Sequence, residues 1–220
     1  MKCLKVLILL LLVSCGKERI VQLPEIKSSE ITEVLDVSPA YIFYDPTAPD
    51  STEFNRKNLI GTTNWLVNID KRLKLKQVVP HLQYLQAKRV KKGMHTNENA
   101  RNFFTCNAID QSSLGFLDFT DVNYQNSTEA LSNGNSACIM TINNLNDVTF
   151  SMIPETNMEF SKENLKTVFD GLVKDKHDKS VTIVLNFNKG LSFQDYITVK
   201  SELQKTKPDK IIIDSNELFY

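Results

Sequence analysis

The chain has 220 residues, and its 26 lysines and arginines are balanced by 26 aspartates and glutamates, so the formal charge is zero. That balance argues against a generally basic nucleic-acid binder and against an acidic solvating tail. Hydrophobic residues at 41%, with only 7 Gly and 7 Pro, exclude collagen-like and wholly disordered chains and leave one or two globular domains.

Lys2 and Lys5 flank the start of an apolar run, Val6 to Val13, that ends at Ser14-Cys15. The run falls well short of the roughly 20 residues of a spanning helix and reads as a cleaved export signal over 1–15. Leu12-Val13-Ser14-Cys15 resembles the bacterial lipobox, in which a small residue precedes a cysteine that is acylated and becomes the new N-terminus. The resemblance implies that Cys15 carries the lipid and that the mature chain is held in the cell envelope, on the periplasmic side or at the cell surface. Each acyl chain adds about 0.8 kcal/mol per buried CH₂, enough in combination for stable anchoring. Of the remaining cysteines, Cys3 leaves with the signal. Cys106 and Cys138 either form a disulfide in an oxidising compartment or stand as two buried thiols.

Residues 16–38 mix charge with Pro and Ser and show no sustained apolar period, which predicts a flexible tether able to hold a folded body about 25 Å from the anchor. An N-terminal α+β domain is expected over 39–123. Its strands are Ala40 to Tyr44, stopped by Asp45-Pro46, then Thr62 to Ile69, Asn102 to Cys106 and Leu114 to Val122. Leu75, Val78, Val79, Leu82 and Leu85 recur at helical spacing, with Pro80 placing the helix start near Gln77 or a kink within it. The Asn-, Ser- and Gly-rich stretch 124–136 is expected to be a linker. Over 137–220, Ala137 to Ile142 and Val148 to Ile153 form a hairpin joined at Asn143 to Asp147. A helix capped by Ser161 buries Leu165, Val168, Phe169, Leu172 and Val173. The strand Ser180 to Phe187, a helix from Ser192 and the strand Lys210 to Ile213 complete a ββαβαβ order.

An offset of 118 lays Asn68 on Asn186, Lys71 on Lys189, Leu73 on Leu191, Leu85 on Leu203 and Gln86 on Gln204. Similar pairs fill between: Ile69 with Phe187, Asp70 with Asn188, Leu75 with Phe193 and Val79 with Ile197. A strand-loop-helix unit is therefore expected twice. In its order of elements and in the corner at Thr182 to Lys189, the second half resembles the periplasmic domain of the ExbD/TolR biopolymer-transport family. The resemblance implies an α+β fold of two tandem domains, each a small mixed sheet with helices on one face. It also implies pairing and contact with envelope proteins or peptidoglycan. The family's membrane helix with its acidic residue has no counterpart here, so the proton-motor role is not carried over.

Chemistry is sparse. His81, His95 and His177 are widely spaced without neighbouring Cys or carboxylate ligands, so no metal is expected, and no nucleotide, cofactor or hydrolase motif occurs. Asp70-Lys71 could be an acid and a cation at a strand end. Capping is the preferred reading, because the counterpart Asn188 caps equally well but cannot act as a general base. Lys71 to Asn97 holds eight cations and no acid. Lys74, Lys76, Lys88, Arg89, Lys91 and Lys92 are expected to contact anionic lipid, cell-wall polymer or an acidic partner, or else to be a solvated face balanced by acids such as Asp45, Asp50 and Glu53. The function expected is a non-catalytic binding or scaffolding module on the membrane, accessory to an envelope transport complex, with no cofactor and no nucleic acid. The alternatives are a cell-wall-directed enzyme and a small-ligand carrier.

Overall fold

A computed structural model describes residues 19–90, 97–126, 137–153, 163–167, 181–206 and 211–220. The fold is α+β, with two mixed sheets and few helices. In the first sheet, β2 (Val37–Tyr44) pairs antiparallel with β3 (Thr52–Asn55) and parallel with β4 (Asn64–Ile69). Helix α1 (Leu75–Val90) crosses from β4 to β5 (Asn102–Ala108), which runs parallel to β4 and antiparallel to β6 (Ser113–Asp118). In the second sheet, the hairpin β8 (Ala137–Asn144) and β9 (Asp147–Ile153) is followed by β10 (Val181–Phe187), parallel to β8. Helix α2 (Phe193–Thr206) then leads to β11 (Ile211–Phe219), parallel to β10.

The registers carry the internal likeness further than the sequence did. Tyr41 lies opposite Asn68 and Ile42 opposite Ile69; Thr141 lies opposite Asn186 and Ile142 opposite Phe187. Just beyond, the Asp70 N–H donates to Ile42 O and the Asn188 N–H to Ile142 O, both at 3.0 Å. The offset of 118 thus joins positions of identical pairing. Both central strands, β4 and β10, alternate buried and partly exposed side chains, which covers one face of each sheet.

The helices have the lengths their apolar spacing predicts. Helix α1 buries Leu75, Val78, Val79, Leu82 and Leu85. It begins at Leu75, two residues earlier than expected, because its first N–H groups find acceptors outside the helix; Pro80 sits exposed in the second turn without ending it. Helix α2 starts on a reciprocal cap: Ser192 Oγ bonds Asp195 Oδ2 at 2.7 Å and accepts the Asp195 N–H at 3.1 Å. Of the helix expected after Ser161, residues 165–167 have helical backbone and Leu165 is buried; its other residues lie outside those described, as do 1–18 and 127–136.

One hydrophobic core spans both sheets. Phe104 of β5 stacks on Phe119 at 3.9 Å and meets Phe193 and Tyr196 of α2 edge-on at 5.3 and 6.1 Å. Phe187, Phe219 and Tyr124 extend the aromatic series into the second sheet. Each fully buried ring of this kind is worth about 1.5–3 kcal/mol in transfer free energy.

Three short strands depart from the expected organisation. Strand β1 (Glu25–Ile26) lies in the presumed tether and pairs with β5 at Asn107 and Ala108, with Ile26 buried. Residues 22–31 therefore form a strap rather than a flexible tether, because their backbone is hydrogen-bonded along the fold. Gln22 O accepts from Lys71 N, Pro24 O from Asn107 N, Lys27 O from Asp110 N and Ile31 O from Phe116 N. The strap crosses Gly115 so closely that a Cβ there would stand 2.6 Å from Ser29 Cβ, which explains a glycine in the middle of β6. Strand β3 extends the first sheet, and β7 (Asn123–Asn126) runs parallel to β11. The chain thus enters the second sheet within the first residues of the stretch expected to be linker.

Candidate functional site

The loops that follow β4 and β10 build the most distinctive place in the molecule. In each, an Asx side chain turns the backbone: the Arg72 N–H donates to Asp70 Oδ1 at 3.1 Å, and the Gly190 N–H donates to Asn188 Oδ1 at 2.7 Å. Asp70 is wholly buried and also holds Arg72 through two bonds, Nε to Oδ1 at 2.8 Å and an Nη to Oδ2 at 2.7 Å. Burial alone would push its carboxyl up; the bonds from Arg72 and from the Gln22 N–H outweigh that and hold it below its ordinary value. Arg72 also lies 4.6 Å over the Tyr44 ring. The carboxylate is committed to structure, as the capping reading expected, and Lys71 pairs instead with Glu25 at 2.6 Å.

The two loops then bind one another. The Leu75 N–H donates to Leu191 O at 2.9 Å and the Phe193 N–H to Leu73 O at 2.7 Å. The Lys76 N–H donates to Lys189 O at 2.9 Å and the Gln194 N–H to Lys71 O at 3.2 Å. Adding 118 to the first-half residue and subtracting it from the second-half residue converts each bond into its partner, and the Lys74–Ser192 bridge, which this exchange leaves unchanged, lies at the centre. This is the pattern of an isologous dimer interface, in which residue i contacts j and j contacts i, made within one chain. The strap fastens it from outside: Gln194 Nε2 donates to Glu25 O and the Glu25 N–H donates to Gln194 Oε1, both at 2.8 Å.

Of the six cations singled out by sequence, the four among the described residues lie apart, Lys74 and Lys76 at the start of α1 and Lys88 and Arg89 in its last turn. Arg89 is half-buried, 3.6 Å from the Trp65 ring, and bonds Asn102 Oδ1, Gly61 O and Thr63 O. Desolvation lowers its pKa to about 10. It is a bolt between α1 and the start of β5, because its donors are already engaged by Asn102 Oδ1 and by the Gly61 and Thr63 carbonyls. Lys88 Nζ also lies over the Trp65 ring, 5.7 Å from its centroid. Lys91 and Lys92 lie outside the described residues. Lys74 and Lys76 are exposed at the junction, and Lys189 joins them there, a residue that only the 118-residue offset could have flagged.

A cavity of about 310 Å³ opens beside the strap, lined by Arg19, Phe43, Tyr44, Asp45, Thr47 and Glu53. Its charges are satisfied in place: Arg19 pairs with Glu53, and Thr47 Oγ1 donates to Asp45 at 2.6 Å. In the second half, Glu217 is buried on β11, where it accepts from Tyr196 Oη at 2.8 Å and pairs with Lys200. Tyr124 and Tyr196 are driven well above the ordinary phenol range, first by burial and then by the charge of Glu217. No signal in the sequence marked this group, since Tyr124 fell in the expected linker and Glu217 beyond the expected last strand.

Cys106 and Cys138 are free thiols, on β5 of the first sheet and β8 of the second, so the disulfide alternative does not hold in this structure. Burial raises both thiols, Cys106 strongly, which disfavours the nucleophilic thiolate. His81 is packed 4.7 Å from Phe54; burial, opposed by Asp50, lowers its pKa, and His95 and His177 lie outside the described residues. Among the described residues no cluster of His, Cys, Asp and Glu could hold a metal, and no helix is long and apolar enough to cross a membrane. Comparisons with protein-family models, with curated proteins and with solved structures find no match to this chain.

Proposed function

We propose that this chain is an acyl-anchored lipoprotein of the cell envelope whose folded part is a non-catalytic scaffolding or binding module of two ExbD/TolR-like halves. The lipobox at Leu12 to Cys15 supports the anchor. The observation that carries the scaffolding reading is the reciprocal junction, through which one chain presents the two-fold surface of a paired domain without a second copy. The commitment of Asp70, Arg72, Arg89, Glu217 and Lys200 to internal pairs supports a non-catalytic role. In this reading the partners are the bilayer and an envelope complex or peptidoglycan, and the module serves as an accessory to transport or energy transduction.

Cross-linking the natively expressed protein in its own cells, with a Cys15→Ala control, and identifying co-purified proteins by mass spectrometry tests this. A reproducible transporter or motor subunit is expected; nothing above the control would overturn it. A small-ligand carrier is the second reading, favoured by the cavity beside Tyr44. Endogenous small molecules retained on the native protein after desalting would favour that reading.

A further inference from the structure

We propose that Lys74, Lys76 and Lys189 form the face by which this chain rests on the anionic headgroups of its own bilayer, an inference that rests on acylation at Cys15. Three observations lead there. First, the lysines are gathered by backbone bonds rather than by sequence. Lys74 is bridged to Ser192, and the Lys76 N–H donates to Lys189 O, so lysines from both halves are anchored by their backbones in the junction. Second, their ammonium groups make no ion pair among the described residues, whereas Lys71, Arg72, Arg101, Lys200 and Lys205 each hold a carboxylate. Lys74 and Lys76 are exposed and Lys189 partly so.

Third, the chain enters the fold beside them. The Gln22 N–H donates to Asp70 at 3.2 Å, and Gln22 O accepts the Lys71 N–H at 2.8 Å, which fixes the strap at the rim of the junction. From Cys15 to Gln22 the chain spans at most about 24 Å fully extended and about 15 Å as a flexible coil. The strap therefore shortens the presumed tether and limits how far the junction can stand from the anchor. At physiological salt the headgroup field decays over about 8 Å, so the lysines act when the short tether brings this face within that distance. Each lysine close to such a surface strengthens association about five-fold, and three together about a hundred-fold. Lys57, exposed in the loop after β3, makes no ion pair among the described residues but has no bond to the junction.

The test is lysine footprinting of the native full-length protein reconstituted in vesicles of phosphatidylcholine alone or mixed with phosphatidylglycerol. Amine-reactive labelling is read residue by residue by mass spectrometry. Labelling of Lys74, Lys76 and Lys189 is expected to fall at least about five-fold in the anionic vesicles, to recover in molar salt, and to leave Lys57 unchanged. Equal labelling in the two vesicle types, or equal protection of Lys57, would overturn the proposal while leaving the lipoprotein reading intact. The same protection by inorganic phosphate without vesicles would reassign the face to a soluble anion and overturn it too. The mass of the N-terminal peptide is measured in the same sample; absence of acyl chains on Cys15 would overturn both.

Discussion

The helix–sheet contacts of the two halves solve one packing problem in opposite ways. In the first, Val78 and Leu82 of α1 stand at the positions that Tyr196 and Lys200 occupy in α2, and Phe104 of β5 has the place of Glu217 in β11, since Val67 lies opposite Phe104 and Leu185 opposite Glu217. The first set is apolar; the second joins a buried carboxylate and a buried phenol to a half-buried lysine. The fold accepts both, so it requires volume at these sites and not a particular chemistry. A buried ion pair is often no more stabilising than apolar residues of the same size, which makes the polar solution a departure that the architecture itself did not demand.

The comparison can be broken at several points. The largest effect is expected from Glu217→Ala, which strands Lys200 and Tyr196 and should cost about 3–5 kcal/mol in urea unfolding. Phe104→Ala at the matching place should cost a similar amount through its cavity, about 3–5 kcal/mol. Converting the polar interface to the apolar one, with Tyr196→Phe, Lys200→Leu and Glu217→Leu together, should instead be neutral or stabilising by up to about 4 kcal/mol. A large loss in that triple variant would show that the two halves are not interchangeable.

A smaller effect is expected at Arg89. Arg89→Ala removes charged hydrogen bonds to Asn102, Gly61 and Thr63 together with stacking on Trp65, and should lower stability by about 2–3 kcal/mol without changing vesicle binding.

Asp70→Asn gives the first corner the residue that the second already has at Asn188. The turn should survive and the Arg72 pair weaken, for a loss of about 1–2 kcal/mol. Because the folded carboxyl titrates below its ordinary 3.8, its contribution is fully present above that value and is lost as pH falls through the lowered one. The native protein should therefore lose stability on that acid limb, and the variant should show a shallower loss. The smallest effect belongs to His81, whose pKa is lowered by burial. Stability from its neutral ring is present above the ordinary 6.5 and declines as pH falls through the folded value, which an NMR titration of the ring follows directly.

Much of the fold was legible because its strands and helices carry their own periodicity. Leu75 to Leu85, the hairpin around Asn143 to Asp147 and the cap at Ser192 each announce themselves locally. What escaped was supplied by partners. Strand β7 reads Asn-Tyr-Gln-Asn and is a strand only because β11 offers an edge; β3 and β1 likewise borrow their order from β2 and β5. The strap has no apolar period because its hold on the fold is backbone hydrogen bonding, to which side-chain patterns are blind. For the same reason the repeat was visible as matched side chains, whereas the reciprocal bonds that make it a junction were not. The basic segment shows a different limit of sequence spacing. Its cations cluster in sequence, but the helix sends Arg89 inward against Trp65 while Lys189 arrives from the other half.

The account turns on that junction joining the halves into one cooperative body. Native-state hydrogen exchange of the Leu75, Lys76, Phe193 and Gln194 amides tests this most directly. All four are expected to exchange slowly and together, at the rate of the β4 and β10 core amides, because opening any one bond requires separating both loops. Fast exchange of these amides while β4 and β10 remain protected would contradict it, showing two halves that fold side by side without a shared joint.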